Sequence, residues 1–568
     1  MSQPPFHILT RRAFLDSSFK AGLGVALSTL LDVPPIIQRS LAEGTIGING
    51  KKVIFIFLRG ANDALNSCIP VGDPAYFDMG TIASPQPTRP DIGIDLEPGV
   101  DYSAKGPCFD PTAGADSVTA RATGDPVYLY DKAIRLGNGF AGLHPALKFL
   151  APVYNAGHLA LVHRVAYPLQ SRSHFDSQAF WESGAPYSNS VRDGLFYRAM
   201  IESGLANTSP FTGVSVQQTL PLILRGSAAA MTNITSTDRF SLLGLPSLTG
   251  RNKSADYLRQ INGLATSPKK ERELLQLQFE NLSKTLDVFD TLRPNFSDSG
   301  NTFRDNIATD GDTDWYQANG NQGYYLFPTR PELNGGWVRA GSTRDAGKFV
   351  VPNDSTSTDF FNNLKAAAIL LNKTDAIVAG TQLDGFDTHS GQGAADGYQA
   401  SLLRRVGWAI YALRKYFMQY ADRATWENVV IVTLTEFGRT TVQNSNGGTD
   451  HAEAGVMWVA GGGIKGFNGL GRSGVFGCST ADPVPWVPGP PNQAGGVNGS
   501  MFGVENRYLK RAYDYRSVLG EVIRKHLGAT QSQLNRIIPG YAVAGEHLLG
   551  GGVSSIDGTR IIGEPGIL

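Results

Sequence analysis

The chain has 568 residues, 41% of them hydrophobic and 18% charged, with 50 basic against 50 acidic side chains. That length holds a large core, either as one long α/β domain with insertions or as two domains. The charge balance removes any electrostatic argument for nucleic acid or an anionic membrane surface.

Thr10-Arg11-Arg12-Ala13-Phe14-Leu15 and the apolar stretch from Ala21 to Leu31 fit a twin-arginine export signal. Residues 1–45 are therefore expected to be a leader, and the protein to be periplasmic or associated with the cell envelope. The stretch is too short to cross a bilayer, and Asp32 and Pro34-Pro35 interrupt it, so no transmembrane segment is expected. The apolar run Val53 to Leu58 predicts a strand over 52–58 that leads into Arg59-Gly60-Ala61-Asn62-Asp63. A Pro, Gly and Asp-rich stretch to about 126 reads as surface loop. Leu143 to Leu150 opens a short helix, with His144 at its start ahead of Pro145, and His158 to Ala166 alternates as a strand.

Ser171-Arg172-Ser173-His174-Phe175-Asp176 then starts a helix, with Ser173 as N-cap and Asp176 in position to close a capping box. From about 205 to 350 the pattern changes to an inserted helical and loop cap. It contains a helix over 274–289 and an Asn, Asp and Gly-rich stretch at 296–323. Helices at 359–372 and 397–420 flank a strand near 376–380, which runs into Asp384-Gly385-Phe386-Asp387-Thr388-His389. Strands at 428–435 and 455–460 and a helix at 513–527 complete a domain over 46–543. The Gly-rich stretch 544–568 reads as a flexible tail or an edge extension. Strands alternating with helices predict an α/β fold, a mainly parallel sheet covered by helices on both faces.

Strands that end repeatedly in ligand-type residues point to a site at their carboxyl ends. Asp387 and His389 are two apart, so on an extended segment both face one side and can share an ion. His451, in Gly447-Gly448-Thr449-Asp450-His451, supplies a third ligand, while Asp63 and Glu436 offer carboxylates to a second cation. Mixed imidazole and carboxylate sets suit zinc or manganese, and oxygen-rich ones also suit magnesium or calcium. Ser173 reads equally as a cap or as a nucleophile at a helix N-terminus, where an anion is stabilised. Arg59, Arg172 and Arg439 are candidates to clamp oxyanion oxygens, against the plainer reading of surface ion pairs. His158 and His163 read as core or edge residues, and His174 as a partner of Ser173 or a plain first-turn residue. Gly137 to Gly142 matches a dinucleotide-binding pattern by letters, but no strand precedes it. Three dispersed cysteines, Cys68, Cys108 and Cys478, give no disulfide framework and no thiolate zinc motif. Cys68 and Cys478 read as small buried apolar residues.

Several motifs together resemble the bacterial domain of unknown function 1501: Phe57-Leu58-Arg59-Gly60-Ala61-Asn62-Asp63, Gly142-Leu143-His144-Pro145, Arg172-Ser173-His174-Phe175, Gly385 to His389, Glu436-Phe437-Gly438-Arg439 and Gly447 to His451. They run in order between about 50 and 540. That family is placed among alkaline-phosphatase-like proteins, with relatives that include sulfatases, phosphodiesterases and cofactor-independent phosphoglycerate mutases. The resemblance implies an α/β sandwich, a nucleophile at a helix start and two divalent cations, but no settled substrate. Glu436-Phe437 stands where a typical superfamily member reads Asp-His, so one expected imidazole is absent. The Asp387/His389 spacing is tighter than usual, and no Cys/Ser-x-Pro-x-Arg signature of formylglycine sulfatases occurs. Two function classes follow: an exported metal-dependent hydrolase of a small anionic ester, or of an anionic group on a larger molecule, and an exported binding or assembly protein that keeps the fold without catalysis.

Overall fold

Runs of β-branched and aromatic residues with no polar interruption are the mark of strands buried on both faces, and this chain places several of them side by side. The computed structural model describes residues 46–108, 132–235 and 355–568, brief breaks aside, with scattered positions between 257 and 329. The leader read at 1–45 and most of the insertion read at 205–350, its helix included, lie outside the described residues.

In chain order the strands are β1 (Lys52–Leu58), β2 (Cys68–Ile69), β3 (Ile134–Arg135), β4 (Gly142–Leu143), β5 (Leu159–Ala166), β6 (Gly213–Val216), β7 (Thr232–Ile234), β8 (Val378–Leu383), β9 (Val429–Thr435), β10 (Gly455–Ala460), β11 (Val475–Phe476), β12 (Tyr513–Asp514), β13 (Gly552–Val553) and β14 (Arg560–Ile561). The central sheet has the order β11-β5-β10-β9-β1-β8-β6-β7, with β12 also paired to β5. From β9 to β7 every pairing is parallel. β10 runs antiparallel to both β9 and β5, so the sheet is mixed and mostly parallel.

Side chains of β1 divide by parity. Ile54, Ile56 and Leu58 enter one core, and Val53, Phe55 and Phe57 enter the other. This is the period-two alternation of a strand, with apolar partners on both faces. The first core is closed by the helices Leu150–Asn155, Ser355–Lys373 and Tyr398–Gln419, through residues such as Leu364, Leu403 and Trp408. The second is closed by the helices Leu195–Glu202, Tyr515–Glu521 and Gln531–Ile537, through Phe196, Leu519 and Leu534. Helices therefore flank the sheet on both faces, and no helix among the described residues is long and apolar enough to cross a membrane.

Three local readings change. The stretch after β1 is not all loop, since β2, β4 and β3 form a small antiparallel sheet; residues 109–131 of that stretch lie outside the described residues. The helix expected from Leu143 is a 3-10 turn at Pro145–Leu147, where His144 Nδ1 accepts from the Ala146 N–H at 3.0 Å, followed by the helix from Leu150. The last stretch is an edge extension: β13 pairs with β14, and Ile567 is fully buried.

Buried imidazoles make the fold acid-sensitive, His144, His163 and His526 among them. Burial holds the pKa of His144 down to about 3 and that of His526 down to about 4, against an ordinary 6.5. Both stay neutral in the native chain, with Nε2 against the Ala394 and Lys52 carbonyls. The unfolded chain then takes up protons first. The stabilisation is fully present above about pH 6.5 and is lost as the pH falls from there through 4, at roughly 1.4 kcal/mol per pH unit for each imidazole. Urea midpoints measured between pH 7 and 4.5 are expected to fall steeply, and His526→Gln is expected to flatten the slope.

Candidate metal centre

The carboxyl ends of β1, β8 and β9 lie together because the strands are adjacent and parallel, in register from Lys52↔Val429 to Leu58↔Thr435 and from Val53↔Val378 to Leu58↔Leu383. Beyond them come Gly60, Asp387 and Glu436. The antiparallel direction of β10 brings its leading segment to the same edge. Residues 438–440 and 450–454 pair as a ribbon, with Gly438 N donating to Glu453 O, Thr440 N to Asp450 O and Ala452 N to Gly438 O. Gly438 permits this approach, since a Cβ there would stand 1.9 Å from the Ala454 carbonyl oxygen. His451 is thereby set opposite Arg439. β5 then delivers the helix His174–Ser183, capped by Ser173, whose Oγ accepts from Asp176 N at 3.4 Å.

Four side chains converge there. His451 Nε2 lies 3.0 Å from His174 Nε2, 2.9 Å from His389 Nε2 and 3.2 Å from Asp387 Oδ1. Asp387 Oδ1 is 3.1 Å from His389 Nε2, and its Oδ2 is 3.4 Å from His174 Nε2. Each imidazole has its other nitrogen against an acceptor. His174 Nδ1 meets Glu436 Oε1 at 3.1 Å, His389 Nδ1 meets Asp450 Oδ1 at 3.2 Å and His451 Nδ1 meets the Arg172 carbonyl at 2.8 Å. A carboxylate or a carbonyl can only accept, so each Nδ1 carries a proton, and in the neutral form of each ring Nε2 is the lone pair left to face an ion. Lone pairs facing one another at these distances repel unless a cation lies between them. Donors bonded at about 2.0–2.1 Å around a tetrahedral ion lie about 3.3 Å from one another, close to the spacing seen here. The residues present therefore fit a divalent ion, and imidazole-rich ligation suits zinc or manganese better than magnesium or calcium.

The electrostatics differ from group to group. Burial pushes the Asp387 carboxyl up, but the Arg439 guanidinium bonded to it and the neighbouring imidazoles more than reverse this and hold it below the ordinary carboxylate range. Burial likewise acts against ionised Glu436, and bonds from His174, Gln178 and the Gly60 N–H overcome it. The bond to Glu436 raises the pKa of His174, whereas burial and the Arg439 charge lower that of His451, the central ring. Phe437, the residue in place of an expected imidazole, packs its buried ring 4.9 Å from that of His174 and 4.8 Å from that of His451.

The expected residues are sorted by this geometry. Asp387, His389 and His451 come together. Glu436 sits behind His174 and orients it, leaving a buried Oε2 with no hydrogen-bond partner among the described residues. Asp63 is not brought to the cluster. Its carboxylate accepts from Arg89 Nη1 at 2.6 Å and from Gln392 Nε2 at 2.8 Å, and it caps the turn Ala64–Ser67. The pair of carboxylates expected for a second cation, Asp63 with Glu436, does not assemble.

The arginines are also engaged elsewhere. Arg59 pairs with Glu182 at 2.7 Å and lies over the Phe57 ring. Arg439 is buried, bonded to Asp387 and to the carbonyls of Gly60, Ala61, Phe386 and Thr449. Arg172 is exposed, donating to the Tyr508 hydroxyl and lying over its ring. His174, which could hold an ion, and Asp450, which meets His389, are members of the cluster that the sequence did not single out as site residues. The available signal was that each adjoins a residue that was chosen, Ser173 and His451.

Gly60 has φ 106°, and a Cβ there would stand 2.4 Å from the Asp387 backbone nitrogen. Gly60→Ala is expected to displace the Asp387 loop and lower both stability and metal retention. Gly50→Ala carries similar strain at φ 68° with open space around it, and should cost stability alone. Equal metal retention in the two variants would refute the close-packing argument.

Residues 343–485 match the model of a family described as protein of unknown function (DUF1501). The matched stretch carries Asp387, His389, Glu436, Asp450 and His451; it does not include His174. No curated protein and no solved structure matches the chain.

Proposed function

We propose that the protein is a metal-dependent hydrolase of phosphate or sulfate esters with an alkaline-phosphatase-like fold, acting outside the cytoplasm after twin-arginine export. The observation that carries this reading is the convergence of His174, His451 and the Asp387 carboxylate within one ion's reach, with His389 Nε2 against His451 and Asp387. His174, Asp387 and His451 would hold the ion, with His389 bordering them. A divalent ion there supplies Lewis acidity toward an anionic ester oxygen.

The chain's own groups supply the rest. Ser173 is flanked on both sides by the cluster, since the Arg172 carbonyl bonds His451 and His174 lies against His451. Its hydroxyl stands at a helix N-terminus, where free backbone N–H groups and the helix dipole favour an anionic group. That position suits it to attack an ester bound there. Arg172 is the exposed one of the three expected arginines, and in this reading it leaves Tyr508 to meet a substrate oxyanion. The substrate is then a small anionic ester, or an anionic group on a larger molecule that reaches the open edge of the sheet.

Ser173→Ala separates cap from nucleophile. As a cap alone the serine contributes on the order of 1 kcal/mol, and Ser173→Asp, also a cap, should keep whatever turnover exists. As nucleophile, both variants should remain folded and lose turnover of aryl phosphate and aryl sulfate esters assayed with added zinc or manganese. Wild-type protein inert toward the whole panel would favour the second reading, a binding or assembly protein. The observation on that side is Phe437, an apolar ring between two imidazoles where a further donor is expected.

A further inference from the structure

Cys68 and Cys478 are separated by most of the chain, yet the fold brings them together. Cys68 opens β2, directly after the turn capped by Asp63, and Cys478 follows β11 at the far edge of the central sheet. Both are fully buried. Their sulfurs and a ring nitrogen of His163 all lie within 4.8 Å of one another.

Two thiols and an imidazole form a ligand set for a soft metal ion, but the histidine here is committed. His163 Nδ1 accepts from the Arg164 N–H at 2.9 Å, and its Nε2 faces the Cys68 carbonyl at 3.1 Å. An N–H can only donate and a carbonyl only accept, so the proton sits on Nε2 and neither nitrogen has a lone pair for a metal. The ring is further fixed edge-on to Trp486, 5.7 Å between centroids. The thiol pair is what remains.

We infer that Cys68 and Cys478 close to a disulfide as the protein folds under oxidising conditions. Their backbones are already held, Cys68 by pairing with Leu143 and Cys478 by the Asn138 side chain on its carbonyl at 2.8 Å. A disulfide then needs the sulfurs to close from within 4.8 Å of each other to about 2.05 Å. Burial pushes the Cys478 thiol well above its ordinary pKa, so the thiolate chemistry belongs to the stage before the core closes. One cysteine thiolate attacks a low-molecular-weight disulfide and expels one small thiolate, forming a mixed disulfide. The second protein thiolate then attacks the protein sulfur of that bond and expels the other half. Two protein thiols are oxidised, and one small disulfide is reduced to two thiols. The bond would tie the loop after β1, which supplies Gly60 to the metal centre, to the sheet edge at β11, and it would leave Cys108 as a thiol.

The test is thiol counting on the full chain refolded in a mixture of reduced and oxidised glutathione, then alkylated with iodoacetamide in denaturant and weighed. One alkylated cysteine is expected, rising to three after reduction, with a proteolytic cross-link joining the Cys68 and Cys478 peptides. In Cys108→Ser no alkylation is expected before reduction. Three alkylated thiols, or a cross-link involving Cys108, would overturn the inference. So would a bound zinc ion, found by elemental analysis after refolding with zinc, that Cys68→Ser removes while the retention due to His451 persists. None of these outcomes depends on ester hydrolysis.

Discussion

On the proposed function, replacing His451 by alanine is expected to strip the divalent ion from the protein, and with it ester turnover, while the sheet stays folded. His451 Nε2 is the atom nearest the middle of the cluster, in contact with His174, His389 and Asp387. Its loss removes one ligand outright and the contact that gathers the other three. Glu436→Gln should do less. Glu436 meets His174 through Nδ1, on the far side of the ring from the centre, and losing an orienting partner of this kind typically lowers metal affinity 10–100-fold without removing a ligand. Elemental analysis after dialysis against a weak chelator ranks the two: retained metal should fall to background in His451→Ala and only partly in Glu436→Gln. The reverse order would mean that the ion lies on the Glu436 side, held by the buried oxygen that has no other partner among the described residues.

Much of this centre can be read from sequence because strand ends are visible there. An apolar run such as Val429 to Leu434 has to be buried, and the first carboxylate after it comes at the sheet's edge, so Glu436 announces itself; after β8 two carboxylates follow, Asp384 and then Asp387. Two things are not written locally. The direction of β10 depends on its pairing with β9 and β5, and only the antiparallel direction carries Asp450 and His451 to the edge where the parallel strands end. The fate of a charge depends on distant partners. Asp63 looks like a ligand until Arg89, from a Pro-rich stretch without periodicity, takes its carboxylate in a fully buried pair. His174 looks like an ordinary first-turn residue, yet a helix that begins at the sheet edge aims its first side chain into the site.

Arg439 is the case in which sequence suggests a clamp and the fold makes a hub, and its removal is expected to give the largest loss of stability of any single change at the centre. The guanidinium is buried and bridges the loop after β1, through Gly60 and Ala61, to the loop after β8, through Phe386 and Asp387, and to the segment before β10, through Thr449. Arg439→Ala leaves those buried carbonyls without their donor, at about 1–3 kcal/mol for each one left unsatisfied; the lost pair with Asp387, whose side chain is 44% exposed, adds less than a fully buried pair would. Arg439→Lys should recover little, because one ammonium cannot reach three loops from a single point. Urea unfolding in the presence of a chelator keeps ion binding out of the measurement, and the loss should then exceed the roughly 1 kcal/mol expected of Ser173→Ala. A loss for Arg439→Ala no larger than that of Ser173→Ala would show the three loops to be held without it, and would return the guanidinium to the role of an oxyanion clamp.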